Sequence, residues 1–369
     1  MEEFWKKIHI SRLDRYIIGK YLGTYFFSII LIISIAVVFD FNEHLDKFIE
    51  YHATAKNIFF YYVDFVPYYS NLFSQLFVFI AVIFFTTKLA ENSEIIAMMS
   101  TGTSFNRLLR PYIIAAGIIC ILTYVMGAYI IPKGNVERIK FEQQYMNKDH
   151  NIYTNNVQLK VDEGVIAYIS RYDDRFKMGY DFTLDKYENK KLVKHLQAMP
   201  IQYDSLSEKP CHWIISNYQT RDLQGMREVI TSGGRRDTFI NMEPQDFLIS
   251  PGQQETLTTP ALETYIKRQK ARGFANIKEF EVEYYKRVAS SFAVFILTII
   301  GVSLSAQKRK NGLGMSLGIG LALSVTYIMF QTMSATFAIN ANFPPILAVW
   351  IPNFIYVFIA FYFYKKAPR

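Results

Sequence analysis

The residues best suited to contact another protein lie in segment 88–110, a polar stretch between two long apolar ones. Acidic Glu91 and Glu94 come early in it, where a helix favours negative charge, and Gly102 is typical of a helix C-terminus. The apolar side of the predicted helix is formed by Ile95, Ile96, Met98 and Met99. We interpret this segment as a docking helix for a protein that acts as a motor. An amphipathic helix resting on the lipid surface is the alternative interpretation.

Sequence signals for enzymatic chemistry are missing from the chain. No P-loop of the pattern G-x-x-x-x-G-K-S/T occurs, so any ATP that drives the protein must be bound by another chain. No G-x-S-x-G nucleophile motif occurs, and the 6 histidines are scattered without metal-ligand spacing. We therefore predict a protein that is not an enzyme, with no catalytic residue, metal site or cofactor of its own.

Basic residues beside the apolar stretches form a second candidate site. Lys286 and Arg287 immediately precede the fourth apolar stretch, and arginine is well suited to hold a lipid phosphate through two hydrogen bonds. Lys47 and Lys56 are weaker candidates at the same predicted level of the membrane. The alternative is that these side chains only extend to the lipid headgroups.

The composition is typical of a membrane protein with a soluble part. Of the 369 residues 51% are hydrophobic and 16% aromatic, and they are concentrated in blocks. A helix needs about 20 apolar residues to cross a bilayer, and six stretches meet that length. These stretches are 16–39, 58–87, 111–131, 288–306, 313–337 and 346–364. Because most short-loop Lys and Arg adjoin them, the formal charge of +8 does not indicate nucleic-acid binding.

The distribution of Lys and Arg between the short loops predicts the orientation in the membrane. Basic residues are concentrated before the first stretch, in segment 88–110, in the turn at 308–310 and after the last stretch. Positively charged short loops face the cytoplasm, so both termini and segment 88–110 are predicted to be cytoplasmic. The N-terminus lacks a cleavage-site pattern, and we predict no removed signal peptide.

The long connection after the third apolar stretch is predicted to be an all-β domain outside the cytoplasm. Short strand patterns alternate with turn signals, which favours a sandwich or open barrel of the jelly-roll kind. The predicted strands are 157–172, 180–187, 191–203, 213–220 and 226–232, with breaks that include Asp162 to Gly164 and Gly233–Gly234. The predicted domains are three membrane helices with the docking helix (1–132), the β domain (133–257), and connecting helices with three further membrane helices (258–369).

Several signals predict helix ends and helix contacts. Ser104 is expected to cap a short helical segment that ends before Pro111. Thr258 or Thr259 is expected to cap a helix that has Pro260 at its first position and stops at Gly273, followed by a helix over 277–287.

In the fifth membrane stretch, small residues share one face that permits close helix approach, within the chain or against a second membrane subunit. They are Gly314, Gly318 and Ala322.

Two blocks of sequence resemble the lipopolysaccharide-export permease family LptF/LptG (YjgP/YjgQ). The first is Asn92-Ser93-Glu94-Ile95-Ile96-Ala97-Met98-Met99-Ser100-Thr101-Gly102. The second begins at Lys286-Arg287, continues through Ile300-Gly301-Val302-Ser303-Leu304 and Lys308-Arg309-Lys310-Asn311-Gly312, and closes with Pro344-Pro345, Ala348-Val349-Trp350 and Ile351-Pro352-Asn353. The resemblance covers nearly the whole chain.

The resemblance implies a Gram-negative inner-membrane transporter subunit with its β domain in the periplasm. Two such permeases form a heterodimer on a cytoplasmic P-loop ATPase dimer, and Glu94 matches the family's coupling glutamate. Lipopolysaccharide enters between the permeases and passes through the jellyrolls to a periplasmic bridge, toward the outer membrane. Basic residues near the outer end of the first span contact lipid phosphates in the family, whereas this chain reads Phe39-Asp40-Phe41-Asn42-Glu43-His44. That contact is therefore not carried over.

Two other functions are compatible with the sequence. A membrane-anchored periplasmic receptor or scaffold would need no motor. A lipid-modifying enzyme is disfavoured because no catalytic constellation is present.

Overall fold

The computed structural model describes residues 11–146, 153–205, 211–225, 227–246, 252–271, 277–306, 312–341 and 343–367. The chain divides into two compact units. The helical unit comprises the described residues of Met1–Phe141, Glu255–Thr259 and Lys278–Arg369, and the sheet unit those of Glu142–Gln254 and Pro260–Ile277. The predicted basic turn at 308–310, the helix stop at Gly273 and the strand residue Met226 lie outside the described residues.

Among the described residues, 6 helices are long and apolar enough to cross a membrane, as predicted. In chain order the helices are α1 (Arg12–Glu50), α2 (Ala55–Leu72), α3 (Ser74–Glu91), α4 (Glu94–Ser100), α5 (Phe105–Val125), α6 (Ile131–Phe141), α7 (Gln253–Thr256), α8 (Thr259–Ala271), α9 (Lys278–Ser305), α10 (Gly312–Asn340) and α11 (Pro345–Lys366). A π-helical turn at Met126–Ile130 joins α5 to α6. The helix predicted over 277–287 is the first part of the longer α9.

The second predicted span, 58–87, is divided into α2 and α3. Phe73 separates them with φ −97° and ψ 15°, although its N–H still donates to the Tyr69 carbonyl. The break lies among Asn71, Ser74 and Gln75, where polar side chains line a cavity inside the unit. Irregular backbone at membrane depth is tolerated where it faces such a cavity. The hydropathy pattern could not reveal this break because the apolar residues continue on both sides.

The residues around α4 partly match the prediction. Gly102 has φ +84° just after α4, and the Ser104 hydroxyl accepts from the Arg107 N–H, so both end signals are confirmed. The predicted end before Pro111 is wrong, because α5 continues through this proline to Val125. A proline removes one backbone donor, and membrane helices tolerate that loss when neighbouring groups compensate.

The core of the helical unit forms around α3 and α9, whose side chains are largely buried. An added Cβ at Gly320 of α10 would lie 1.9 Å from Ile83 Cδ1, and one at Gly301 of α9 would lie 2.8 Å from Val82 Cγ1. Both glycines therefore allow close contact with α3. The predicted packing residues Gly314, Gly318 and Ala322 are instead exposed, and Cβ atoms at the two glycines would meet nothing within 4 Å.

The insertion between the third and fourth spans is an antiparallel sheet, which confirms the predicted fold class. The strands are β1 (Tyr153–Asp162), β2 (Val165–Asp173), β3 (Met178–Glu188), β4 (Lys191–Ala198), β5 (Ile201–Tyr203), β6 (His212–Gln224) and β7 (Arg227–Phe239). Their order is β1-β2-β3-β4-β6-β5, with β7 on β6 and an added β3–β5 pairing. Trp213 is fully buried, and its indole N–H donates to the Met242 carbonyl at 2.9 Å.

Two predicted strand boundaries are wrong in the sheet. The predicted strand 191–203 is interrupted before Ile201 by Pro200, which follows a cis peptide bond. The predicted break at Gly233–Gly234 lies within β7 instead. Gly233 pairs with Tyr218, and an added Cβ there would lie 2.5 Å from the tyrosine Oη. This glycine therefore makes room for an aromatic ring.

Candidate functional site

Of the helix predicted in segment 88–110, the part from Glu94 to Ser100 forms α4 with Glu94 at its first position, while Lys88 to Glu91 belong to the end of α3. The role of α4 in docking stays a prediction. The Glu94 carboxylate accepts a hydrogen bond from Asn92 Nδ2 at 3.2 Å, and the Tyr16 hydroxyl of α1 is close to it. Glu91 ends α3 and is exposed. Glu94 is half-buried, so its carboxylate is fixed in position and still reaches the surface.

One side of α4 packs on the helical unit and the other faces outward. Ile95 is buried, and Met98 and Met99 pack against the same core. Ile96 is 53% exposed, although it was predicted to lie with them on the apolar side. A seven-residue helix turns about 100° per residue, so adjacent isoleucines cannot share one face. The exposed isoleucine gives α4 an apolar contact point beside its acidic end.

An ion pair near α4 was missed by sequence reasoning. Arg107 of α5 donates to both carboxylate oxygens of Asp14 in α1, at 2.6 and 2.7 Å. Asp14 is 2% exposed and also completes a capping box with Ser11. The pattern Ser-x-x-Asp at a helix start could have identified the capping role. The ion pair spans 93 residues, and no local pattern indicates it.

The predicted phosphate-binding residues separate into two groups. Lys286 and Arg287 both line a cavity of about 290 Å³ inside the helical unit. Lys47 and Lys56 are exposed and do not line this cavity. Apolar side chains such as Leu72, Phe73, Ile131 and Ile328 form part of the wall. The other polar lining residues carry amides, hydroxyls and carboxylates: Asn71, Ser74, Gln75, Thr123, Asn135, Glu255, Glu283, Ser290, Ser291, Gln331 and Thr332.

Arg287 is held by contacts within the chain. Its Nε donates to Glu283 at 2.9 Å and its Nη1 donates to the Thr259 hydroxyl at 3.0 Å, and the side chain is 4% exposed. Lys286, by contrast, is half-buried on the cavity wall. The lysine is thus the more accessible of the two predicted cations.

A second charged pair lies at the wall of the same cavity, which Glu255 lines. Arg138 of α6 lies 3.5 Å from the Glu255 carboxylate, and its guanidinium lies 4.0 Å from the centre of the Tyr68 ring. Burial and the Glu283 carboxylate raise the pKa of Glu255, against the Tyr68 hydrogen bond and the positive charges of Lys286 and Arg138. Sequence reasoning missed Arg138 and Glu255, because their pairing crosses 117 residues.

One buried amide of the cavity wall lacks a hydrogen-bond partner among the described residues. Gln75 is 3% exposed and its Oε1 accepts no hydrogen bond there. Buried polar groups are normally satisfied, so this oxygen marks a place for water or a bound polar group. Within the described part of the chain, no cluster of three His, Cys, Asp or Glu residues could hold a metal ion.

Comparison with known proteins identifies the family. The sequence model described as lipopolysaccharide export system permease LptF/LptG matches residues 15–366. A search among curated proteins finds no match. The family match includes α4, the inserted sheet and the helices that form the cavity. The chain therefore belongs to the lipopolysaccharide export system permease LptF/LptG family and is a multi-pass membrane permease.

Proposed function

We propose that the chain is one permease subunit of an ATP-driven ABC-type complex that extracts lipopolysaccharide from the inner membrane. The complex passes the lipid to a periplasmic jellyroll bridge, toward the outer membrane. The observation that carries this proposal is α4, a short helix between two membrane helices with Glu94 and the exposed Ile96 at its surface. Such a helix is suited to receive force from a cytoplasmic protein.

The partners follow from what this chain offers at its surfaces. A cytoplasmic P-loop ATPase dimer binds the ATP, because the sequence has no P-loop. A second permease of the family covers the exposed small-residue face of α10, formed by Gly314, Gly318 and Ala322. In this arrangement both termini and α4 are cytoplasmic, and the sheet unit lies in the periplasm.

The substrate phosphate is assigned to Lys286, with Arg287 as its neighbour. Both residues line the cavity, and a lysine ammonium can attract phosphate as a point charge. Arg287 already donates to Glu283 and Thr259, so it fixes the shape of the cavity wall beside Lys286. Lys47 and Lys56 remain predictions from the sequence.

Lys286→Glu is expected to lower lipopolysaccharide crosslinking to the cavity about tenfold, because it replaces an attractive charge with a repulsive one. The measurement is photocrosslinking from a probe at Thr332, on the cavity wall, in native membranes. Lys140→Glu makes the same charge change at an exposed position that does not line the cavity and is the matched control. Equal crosslinking in Lys286→Glu and wild type would contradict the assignment.

Arg287 is a poorer probe of lipid contact. Arg287→Glu places a carboxylate beside Glu283 and removes a buried ion pair, a change that costs about 3–5 kcal/mol of stability. Reduced crosslinking in that variant would not separate lipid contact from unfolding.

Reconstitution into vesicles tests the transport function itself. The complex purified with this chain is placed in lipopolysaccharide-containing vesicles, and lipid transfer to an added soluble acceptor domain is followed with and without ATP. We expect transfer that requires ATP hydrolysis. A receptor or scaffold would bind the lipid equally in both conditions and release none in response to ATP.

A further inference from the structure

The helix α4 is separated from its neighbours by non-helical joints on both sides. Asn92 and Ser93 connect it to α3, and Ser93 has φ +61°. Residues 101–104 connect it to α5, and Gly102 has φ +84°. A continuous helix transmits force along its axis, whereas such joints can change their dihedral angles under load. Displacement of α4 therefore reaches the membrane helices through side-chain contacts.

The strongest polar contact beside these joints is the Asp14–Arg107 pair. Arg107 is the third residue of α5, and it binds Asp14 through two parallel hydrogen bonds of 2.6 and 2.7 Å. Its Nη2 also donates to the Ser11 hydroxyl at 3.2 Å. Two-point arginine–carboxylate pairs fix orientation as well as distance. The start of α5 is thus held to the start of α1.

A second contact lies at the other end of α4. Tyr16 of α1 lies two residues after Asp14, and its hydroxyl is close to the Glu94 carboxylate. The Tyr16 ring packs edge-on against Phe85 of α3, with 6.4 Å between ring centres. The same short section of α1 therefore lies beside both ends of the α4 region.

The remainder of α1 is less buried. From Asp14 to Ser28 it buries six side chains, whereas only Ile33 and Phe48 are buried in the described residues that follow. Between those two, Ile35, Val38 and Phe39 are 50%, 59% and 71% exposed. Movement at the start of α1 would change how this exposed section meets lipid or a second subunit.

We propose that the Asp14–Arg107 ion pair is a latch that transmits displacement of α4 and the start of α5 to α1. This inference rests on the proposed function, since it assigns the residues that link motor docking to the membrane helices. Asp14 and Arg107 are positioning residues, and Tyr16 is a neighbouring one.

The test separates docking from coupling in the purified complex. Asp14→Asn combined with Arg107→Gln removes both charges, so no unpaired charge stays buried. We expect the amount of ATPase that co-purifies with this variant to stay within about twofold of the wild-type amount. Lipid transferred per ATP hydrolysed is expected to fall about tenfold. Tyr16→Phe removes only the hydroxyl and should lower the same ratio less. Arg15→Gln alters charge on an exposed side chain of the same helix end and is the matched control.

Exchanging the two charges of the pair is expected to restore lipid transfer. Asp14→Arg with Arg107→Asp restores an ion pair in reverse and should recover most of the transfer per ATP that the neutral pair loses. An unchanged ratio in the neutral variant contradicts the latch. Loss of ATPase co-purification in that variant also contradicts it, because the pair would then only support α4. Failure of the wild-type chain to bind any ATPase would instead overturn the proposed function.

Discussion

Replacing Glu94 with arginine is expected to abolish stable association with the ATPase while the chain stays folded. The change reverses the charge at the exposed start of α4, and like charges placed together at an interface cost several kcal/mol. We expect at least about a tenfold loss of co-purified ATPase. The measurement is the amount of ATPase recovered with the tagged chain from native membranes.

The contacts of Glu94 within the chain require a matched variant. Glu94→Gln keeps an oxygen that can accept from Asn92, yet removes the charge. We expect it to retain more ATPase than Glu94→Arg, because the helix position is preserved. Normal recovery of the ATPase with Glu94→Arg would exclude Glu94 as the coupling residue.

Replacing Trp213 with alanine is expected to destabilise the sheet unit by about 3–5 kcal/mol. Trp213 is fully buried, its ring packs edge-on against Tyr172 and Tyr203, and its N–H donates to Met242. Removal leaves a large cavity and an unsatisfied carbonyl. Hydrogen–deuterium exchange along β6 in the whole chain measures the loss directly.

An exposed aromatic residue of the same unit supplies the control for Trp213. Phe176 is 58% exposed in the turn between β2 and β3, and Phe176→Ala should change stability by less than about 0.5 kcal/mol. Equal exchange in both variants would mean that Trp213 does not stabilise the sheet as its burial indicates.

Membrane helices were predictable because the bilayer itself fixes their length. A span must be apolar over about 20 residues, so composition alone located all six. The division at Phe73 was not predictable, since it depends on a cavity built from α5, α6, α9 and α10. Helix ends were predictable where a side chain or glycine signals locally, as at Ser104 and Gly102.

Prediction of the sheet was limited in the same way, to features that depend on local sequence. Alternation and turn residues indicated that strands exist, because those patterns are local. The role of Gly233 depends on the Tyr218 ring of the neighbouring strand, so the same glycine that suggests a turn lies inside β7. Cross-strand neighbours cannot be read from one strand alone.

For the candidate site, the sequence indicated residues but not their contacts. Glu94, Lys286 and Arg287 were selected from charge beside apolar stretches, and their roles stay predictions. The Arg287–Glu283 pair has the i, i+4 spacing of a helix and could have been inferred. Asp14–Arg107 and Arg138–Glu255 join distant parts of the chain, and only the folded structure brings them together.

If this permease works in a complex driven by a separate ATPase, the complex should be recoverable from the membrane. The tagged chain is purified from its native membrane in mild detergent, and everything that accompanies it is identified by mass spectrometry. We expect a P-loop ATPase, a second permease with six spans and a bound lipid A-type glycolipid. Recovery of the chain alone, under conditions that keep other membrane complexes intact, would contradict that expectation.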